Sequence, residues 1–389
     1  MLTHSFTEFF ESEKSSGIVL IACTVLSLVV VNSSAGAAYA NFWHAQLGGL
    51  SIEQWVNDAL MAIFFLFVGL ELEREIYSGE LSDPRNALLP IVAAIGGIAV
   101  PALIHYSLNS GTSTSAGAGI PMATDIAFAL GVLALLGSRI PVSLKVFLTA
   151  LAVIDDLGAI VVIALFYTEH VALAFLLGAL AVFAVLVAFN RIFRIMSMWP
   201  YLLGGALMWF LMFKSGVHAT IAGVALAFAI PFSHKADDQK SPSHRLEHFL
   251  HKPVAFIVLP VFALANTGIV IGSGWFNDLQ SANSAGIVAG LVLGKPIGIV
   301  LLSFAAVAIG LVKLPPDLTW RHIVGAGLLG GIGFTMSIFI TNLAYVGSPA
   351  LINASKMAVL VASVVAGIAG FAWLRLWTRG ASANVRQGD

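Results

Sequence analysis

Four ionisable residues stand inside long apolar stretches of this 389-residue chain: Asp125, the adjacent pair Asp155 and Asp156, and Lys295. A charged side chain at the centre of a membrane helix costs roughly 2.5 to 3.5 kcal/mol on insertion scales. Such groups therefore face the protein interior or a water-filled cavity, where they handle ions or protons. If all four ionise, three negative charges face one positive charge, which favours uptake of a cation or of protons.

The oxygen atoms of this cluster indicate which ligand it takes. Carboxylates, the Thr124 hydroxyl and backbone carbonyls are hard ligands, which suit Na+ or Li+ better than a soft metal. Crowded carboxylates away from water also hold protons more tightly than solvated ones. Because neighbouring residues on a helix point about 100° apart, Asp155 and Asp156 are expected to have different partners. One of them can pair with Lys295, while the other, with Asp125, can line a water-filled cavity.

The composition is typical of an all-α polytopic membrane protein. Hydrophobic residues make up 59% of the chain and charged residues only 10%, unlike soluble domains. Apolar stretches of about 17 to 25 residues, the length that a helix needs to cross the hydrocarbon core, predict twelve spans. They form a single membrane transport domain over residues 1–389, with a transmembrane core at about 16–377. The spans centre near Val25, Phe64, Ile98, Phe128, Asp156, Val182, Leu207, Val224, Pro260, Ile297, Phe334 and Val364.

The basic residues predict how the chain crosses the bilayer. Lys and Arg near span ends stay on the cytoplasmic side. Sixteen of the nineteen lie before span 1, after span 12 or in the loops that follow even-numbered spans. Both termini are therefore expected to be cytoplasmic. The net charge of −1 gives no indication of a nucleic-acid partner.

Two of the predicted spans contain residues that interrupt a helix. Span 4 holds Pro121, which lacks a backbone donor and clashes with the preceding turn, and span 11 holds Gly331 and Gly333, followed by Thr335. Glycine in a membrane helix can simply allow close packing. However, spans 4 and 11 are the middle members of spans 3–5 and 10–12, and they run in opposite directions. Interrupted helices at matching positions of two inverted repeats indicate the binding site of a transporter.

Several segments resemble the NhaA family of bacterial Na+/H+ antiporters, which is itself a known example of such inverted repeats. They are residues 124–131 (TDIAFALG), 154–160 (IDDLGAI), 214–220 (KSGVHAT), 245–248 (RLEH), 294–296 (GKP) and 331–337 (GIGFTMS). The resemblance implies an inner-membrane protein with crossed, interrupted helices in spans 4 and 11. It also implies electrogenic exchange that is activated at alkaline pH.

The resemblance further implies roles for individual residues. Asp156 would be the principal carboxylate for Na+, Li+ and H+, with Asp155 as the partner of Lys295. Asp125 and Lys295 would balance the dipoles of the facing half-helices. Thr124 would be a ligand or a hydroxyl that shapes the site. No cofactor is expected.

Two groups of ionisable residues on the cytoplasmic side match the family's pH-response region. They are Glu71, Glu73, Arg74 and Glu75 at the end of span 2, and Arg245, Glu247, His248 and His251 leading into span 9. Three of the first group share one helical face and can pair at spacings of three and four, and histidine titrates in the relevant range. The alternative is a solvated, charged helix end that only follows topology.

One departure from the family concerns the segment between spans 1 and 2. Residues 34 to 54 look shorter than the hairpin through which the family dimerises. A homodimer within the lipid bilayer is therefore less firmly expected for this chain than for the family.

Other interpretations fit the sequence less well. Residues 244–248 match the H-x-x-E-H zinc-peptidase pattern, but no surrounding domain would form a cleft. The phosphate-loop pattern fails near Lys295, because Ala289 and Pro296 replace required residues.

A cation channel would use rings of carboxylates, and a sodium-coupled solute symporter would need a free base for an anionic substrate. A buried ion-pair network that only stabilises the bundle is the structural alternative. The sequence therefore predicts a secondary transporter, not an enzyme, that extrudes Na+ or Li+ in exchange for H+.

Overall fold

The computed structural model describes residues 4–168, 171–233 and 241–377. Both chain ends, whose cytoplasmic placement was predicted, lie outside these residues, as do the basic residues Lys235 and Lys240. The described chain is almost entirely helical. Its α-helices are α1 His4–Val31, α2 Gly36–His44, α3 Ile52–Trp55, α4 Met61–Tyr77, α5 Pro84–Asn109, α6 Ile126–Leu135, α7 Val142–Phe166, α8 Leu173–Arg191, α9 Trp199–Ser215, α10 Ile221–Ala229, α11 Pro242–Pro253, α12 Leu259–Asn266, α13 Trp275–Leu279, α14 Ala282–Ala289, α15 Lys295–Ala308, α16 Trp320–Gly330, α17 Phe334–Ala344 and α18 Pro349–Trp377.

Shorter elements join some of these helices. Three π-helical turns connect α3 to α4, α11 to α12 and α14 to α15: Val56–Leu60, Val254–Val258 and Gly290–Gly294. Three 3-10 helices cover Glu80–Ser82, Ser115–Met122 and Gly137–Arg139. Two strands, β1 Gln46–Leu47 and β2 Leu50–Ser51, form an antiparallel hairpin in which Gln46 lies opposite Ser51.

The hairpin lies in the segment that the sequence analysis found to be short. Its turn residues Gly48 and Gly49 have φ values of 64° and 90°. Two consecutive positive φ angles match the twist of antiparallel strands, and glycine adopts them without steric cost. The dimer that such a hairpin would support stays a prediction.

Within the described residues, eight helical segments are long and apolar enough to cross a membrane. They are Ile52–Tyr77, Asn86–Asn109, Ser115–Leu135, Val142–Phe166, Leu173–Arg191, Pro242–Asn266, Ala282–Ala308 and Pro349–Trp377. Two bent pairs, α1 with α2 at 113° and α16 with α17 at 46°, raise the number to ten if each counts as one span. The all-α polytopic class is therefore confirmed. The count of twelve stays a prediction, because α9 and α10, which would supply the other two spans, have only 17 and 9 residues.

The chain divides into two compact units. Unit 1 comprises Met1–Ile18, Asp83–Ala159 and Ile269–Asp389. Unit 2 comprises Val19–Ser82 and Ile160–Gly268. All four ionisable residues of the apolar stretches belong to unit 1, whereas the predicted pH-response residues belong to unit 2.

Close helix packing positions Lys295 within unit 1. The helices α5 and α15 cross at Gly96 and Gly298, where a Cβ atom on either glycine would lie 2.0 or 2.1 Å from the carbonyl oxygen of the other. Only glycine permits this approach. A neighbouring glycine of α5, Gly97, lies against the Lys295 stem, since its Cβ would be 3.7 Å from Cε. The lysine side chain is therefore confined between two tightly packed helices.

Candidate functional site

The site lies where two non-helical breaks meet inside unit 1. Residues 123 to 125 are not helical between the 3-10 helix Ser115–Met122 and α6, and residues 331 to 333 are not helical between α16 and α17. The backbone N–H of Asp125 donates a hydrogen bond to the carbonyl of Ile332 at 2.6 Å. The breaks therefore contact each other directly through main-chain atoms.

The Asp125 carboxylate caps two helices at this contact. One oxygen, Oδ1, accepts from the Phe128 N–H at 3.1 Å and so caps α6, its own helix. The other, Oδ2, accepts from both the N–H and the hydroxyl of Thr335, at 3.0 and 2.5 Å, in the first turn of α17. Helix N-termini carry partial positive charge and unsatisfied N–H groups. A single carboxylate, 2% exposed, therefore neutralises two half-helix ends at once.

Lys295 balances negative charge at the same site. Its Nζ atom donates to Oδ2 of Asp155 at 2.7 Å and to the carbonyl oxygen of Met122, the last residue of the 3-10 helix. Both Lys295 and Asp155 have 0% exposure. The ammonium thus offsets a carboxylate and the negative end of a short helix together.

The Asp155 carboxylate is engaged through one of its two oxygens. Oδ2 receives the Lys295 ammonium and also lies 2.7 Å from the Thr124 hydroxyl, which is 2.9 Å from the Gly330 carbonyl as well. Within the described residues, Oδ1 of Asp155 has no hydrogen-bond partner. Asp156, one residue further along α7, is 2% exposed and lies within electrostatic range of Lys295. The site thus offers carboxylate oxygen beside a hydroxyl and a backbone carbonyl.

The predicted interrupting residues have different structural roles. Pro121 lies inside the 3-10 helix, two residues before the break. A Cβ atom at Gly331 would lie 2.4 Å from the Leu291 carbonyl, and one at Gly333 would lie 2.2 Å from the Ser337 hydroxyl. These two glycines therefore permit close approach to the neighbouring span and within α17.

Some groups at the site were missed by the sequence analysis. The Ser363 hydroxyl of α18 accepts the Phe334 N–H at 3.2 Å, which satisfies a second donor at the start of α17. The Ser337 hydroxyl donates to the Ile120 carbonyl at 2.7 Å and fixes α17 to the 3-10 helix. Ser363 gave only a weak signal in the sequence, because it is one of two serines in the apolar helix α18. The Met122 carbonyl gave no signal, because every residue carries one.

In unit 2, Arg74 lies at the centre of the predicted pH-response residues. Its guanidinium is 2.5 Å from Glu247 of α11, 3.4 Å from Glu75 and 3.8 Å from Glu71. The arginine therefore joins α4 to α11 through Glu247, whereas Glu71 and Glu75 lie on its own helix. Oε2 of Glu247 also lies 3.9 Å from His244.

The other predicted members of this group are placed differently. Arg245 and His248 lie on the exposed face of α11, and the His251 ring packs edge-on against Phe67 with centroids 5.9 Å apart. Glu73, which the sequence analysis placed in the group, has a different partner: its carboxylate is buried and accepts a hydrogen bond from the Ser243 hydroxyl at 3.1 Å. The structure thus assembles four of these eight residues, Glu71, Arg74, Glu75 and Glu247, in one ion-pair cluster.

Comparison with known proteins decides the family. The sequence model of a family described as Na+/H+ antiporter 1 matches residues 7–374. The chain belongs to the Na+/H+ antiporter 1 family. It is 75% identical over 373 residues to the Na+/H+ antiporter NhaA of Dechloromonas aromatica (strain RCB), with 96% of each chain covered. It is also 58% identical over 370 residues to the NhaA of Flavobacterium psychrophilum, with 95% of each chain covered.

More distant relatives extend the match. The Na+/H+ antiporter NhaA 2 of Pseudomonas syringae pv. syringae (strain B728a) is 47% identical over 370 residues, which cover 95% of this chain and 94% of that protein. The predicted family is therefore confirmed, and with it the exchange of Na+ and H+ by a multi-pass membrane protein. The chain is a transporter rather than an enzyme.

Proposed function

We propose that this family member is a secondary active, electrogenic antiporter of the bacterial inner membrane, with both termini in the cytoplasm. It extrudes Na+ or Li+ in exchange for H+ at Asp155 and Asp156, and the whole chain acts as one transport domain. The observation that carries the proposal is the half-engaged Asp155 carboxylate, which is fully buried beside Asp156. A carboxylate pair in this setting gains from either a cation or protons.

Competition at these carboxylates produces coupling. Sodium binds the ionised oxygens, and a proton removes the charge that holds sodium, so the two ligands exclude each other. Alternate exposure of the site to the two sides of the membrane then converts competition into exchange. Asp125 and Lys295 keep the half-helix ends neutral throughout the cycle. If more protons than sodium ions move per cycle, each excess charge is worth roughly 2.3 kcal/mol per 100 mV of membrane potential.

Reconstitution tests this function directly. Purified protein in proteoliposomes that contain a pH-sensitive dye receives a pulse of NaCl, LiCl or KCl. We expect Na+ and Li+ to drive proton movement and K+ to drive none, and an imposed membrane potential to change the rate. A sodium current without proton movement would instead indicate a channel, and pH changes unaffected by the potential would contradict the electrogenic cycle.

A further prediction concerns the Arg74 cluster, which we propose as the pH-responsive part of the protein. Glu247→Gln removes the closest carboxylate of Arg74, at 2.5 Å, and Glu71→Gln removes one at 3.8 Å. We expect both variants to shift the pH profile of exchange, Glu247→Gln by more, while the maximal rate is preserved. Exchange measured between pH 6 and 9 in proteoliposomes checks this.

The matched control for the cluster is Glu53→Gln. Glu53 belongs to the same unit but pairs with His44 at 3.4 Å, outside the Arg74 cluster. Its neutralisation should leave the profile in place. If Glu247→Gln and Glu71→Gln also leave the profile in place, the cluster is only a charged helix end.

A further inference from the structure

Six side chains of unit 1 form a hydrogen-bonded cluster outside the ion site. We call this cluster the Asn283 network. Its members are His105, Asn109, Thr114, Asn283, Tyr345 and Ser355. Five of them are at most 4% exposed. Burying that many polar groups is unfavourable unless they are hydrogen-bonded, so the network is a fixed arrangement.

Asn283, in the first turn of α14, is the hub of the network. Its Oδ1 accepts from the Tyr345 hydroxyl at 2.6 Å and lies 3.1 Å from Nε2 of His105. Its Nδ2 donates to the Ser355 hydroxyl at 2.7 Å. Because a carboxamide oxygen only accepts, His105 must donate from Nε2. One side chain therefore joins α14 to α5, α18 and the end of α17.

A second set of contacts adds the start of the 3-10 helix Ser115–Met122. The Thr114 hydroxyl donates to Asn109 at 2.7 Å, and the Tyr345 hydroxyl lies 3.0 Å from the Thr114 carbonyl. The backbone fits tightly here, because a Cβ atom at Gly117 would lie 1.9 Å from the Tyr345 hydroxyl. The network therefore contacts the first turn of the 3-10 helix.

Two elements run from this network to the ion site. The 3-10 helix begins next to Thr114 and ends at Met122, whose carbonyl receives the Lys295 ammonium. Helix α17 ends beside Tyr345 and begins with the turn that holds Thr335 against the Asp125 carboxylate. Each therefore has one end in the network and the other end in the site.

A third element connects the same two places. Asn283 stands at the start of α14, and the π-helical turn Gly290–Gly294 carries the chain into Lys295 at the start of α15. The two residues are separated by roughly 18 Å of helix, at about 1.5 Å per residue. These three elements, each of which delivers a group to the ion site, are thus bound to one another at their far ends.

We propose that the Asn283 network positions the cation and proton site from a distance, an inference that rests on the function proposed above. The network fixes how far the three elements extend toward the site. When one of its bonds is lost, Met122, Thr335 and Lys295 can shift independently, and the Asp155 carboxylate, which Lys295 contacts at 2.7 Å, is no longer held in one position. Asn283 and Tyr345 are positioning residues, because neither contacts the ion.

Tyr345→Phe is the most selective test, because it removes one oxygen atom and keeps the ring. In proteoliposomes we expect the KM for Na+ to rise about 3- to 10-fold, the range that one lost hydrogen bond corresponds to. The maximal rate should stay near that of the wild type. Calorimetric Na+ binding should weaken by the same factor. Asn283→Ala should have a larger effect on KM, and the double variant should be no worse than Asn283→Ala, because the two residues share a bond.

The control is Tyr106→Phe, at the neighbour of His105 on α5, whose side chain is 50% exposed. It should leave KM unchanged. An unchanged KM in Tyr345→Phe overturns the proposal, and so does a lower maximal rate and thermal stability without a change in KM, which would mark the network as purely structural. If Asn283→Ala fails to fold, Tyr345→Phe and its binding constant decide alone. Failure of the proposed function is distinguishable, because the wild type itself would then show no Na+-driven proton movement.

Discussion

Replacing Asp156 by Asn is expected to abolish exchange of Na+ and Li+ for H+ while the protein stays folded in the membrane. Asparagine has nearly the same volume and keeps one acceptor oxygen, so the packing of α7 around this buried position is preserved. The charge is lost. Without an ionisable oxygen, the site can neither release a proton in exchange for sodium nor offset the cost of removing water from the ion.

Three measurements separate the outcomes for this variant. Membrane expression and thermal stability should match the wild type, Na+-driven proton movement in proteoliposomes should vanish, and calorimetric Na+ binding should vanish with it. The control is Asp278→Asn, which neutralises an exposed aspartate in α13 of the same unit and should change none of these. A normally expressed Asp156→Asn protein with intact exchange would falsify the single-site mechanism and move the cation to Asp125 or elsewhere.

The candidate site could be predicted from sequence because its residues conflict with their surroundings. Charges at positions 125, 155, 156 and 295 interrupt apolar stretches, and a buried charge is too costly to be incidental. Residue types alone left open which aspartate faces Lys295, because that choice depends on the rotation of α7. In the structure Asp155 forms the ion pair, at 2.7 Å.

Other features depend on tertiary contacts that a sequence does not display. The Met122 carbonyl becomes a Lys295 acceptor only because the 3-10 helix ends against α15. Residues of a helix share one side when they are three or four positions apart. Arg245 and His248 are two positions and one position from Glu247, so they lie on the exposed face of α11 instead. The number of spans also depends on tertiary structure. Hydropathy measures the length of an apolar stretch and not the length of the helix within it, and α10 has only 9 helical residues.

The second large effect is expected for the buried ion pair between Lys295 and Asp155. Lys295→Gln removes the only ammonium within 4.0 Å of Asp155 in the described part of the chain and leaves a buried carboxylate that Thr124 alone contacts. Removal of one partner from a buried pair costs about 3 to 5 kcal/mol. We expect Lys295→Gln to lower the thermal stability of the purified protein strongly and to slow exchange. Asp155→Asn should also be destabilising, because the buried Lys295 ammonium then loses its carboxylate partner and keeps the neutral Met122 carbonyl as an acceptor.

The double variant distinguishes a pair from two independent groups. Asp155→Asn with Lys295→Gln replaces two charges by two amides that can hydrogen-bond to each other, so neither is left as an isolated buried charge. Its loss of stability should be smaller than the sum of the single losses by about 1 to 3 kcal/mol, the coupling typical of residues in contact. A parallel cycle of Asp155→Asn with Lys313→Gln, at an exposed lysine in the loop after α15, should be additive. Additive losses in both cycles would mean that the 2.7 Å contact between Nζ and Oδ2 contributes no net stabilisation to the folded protein.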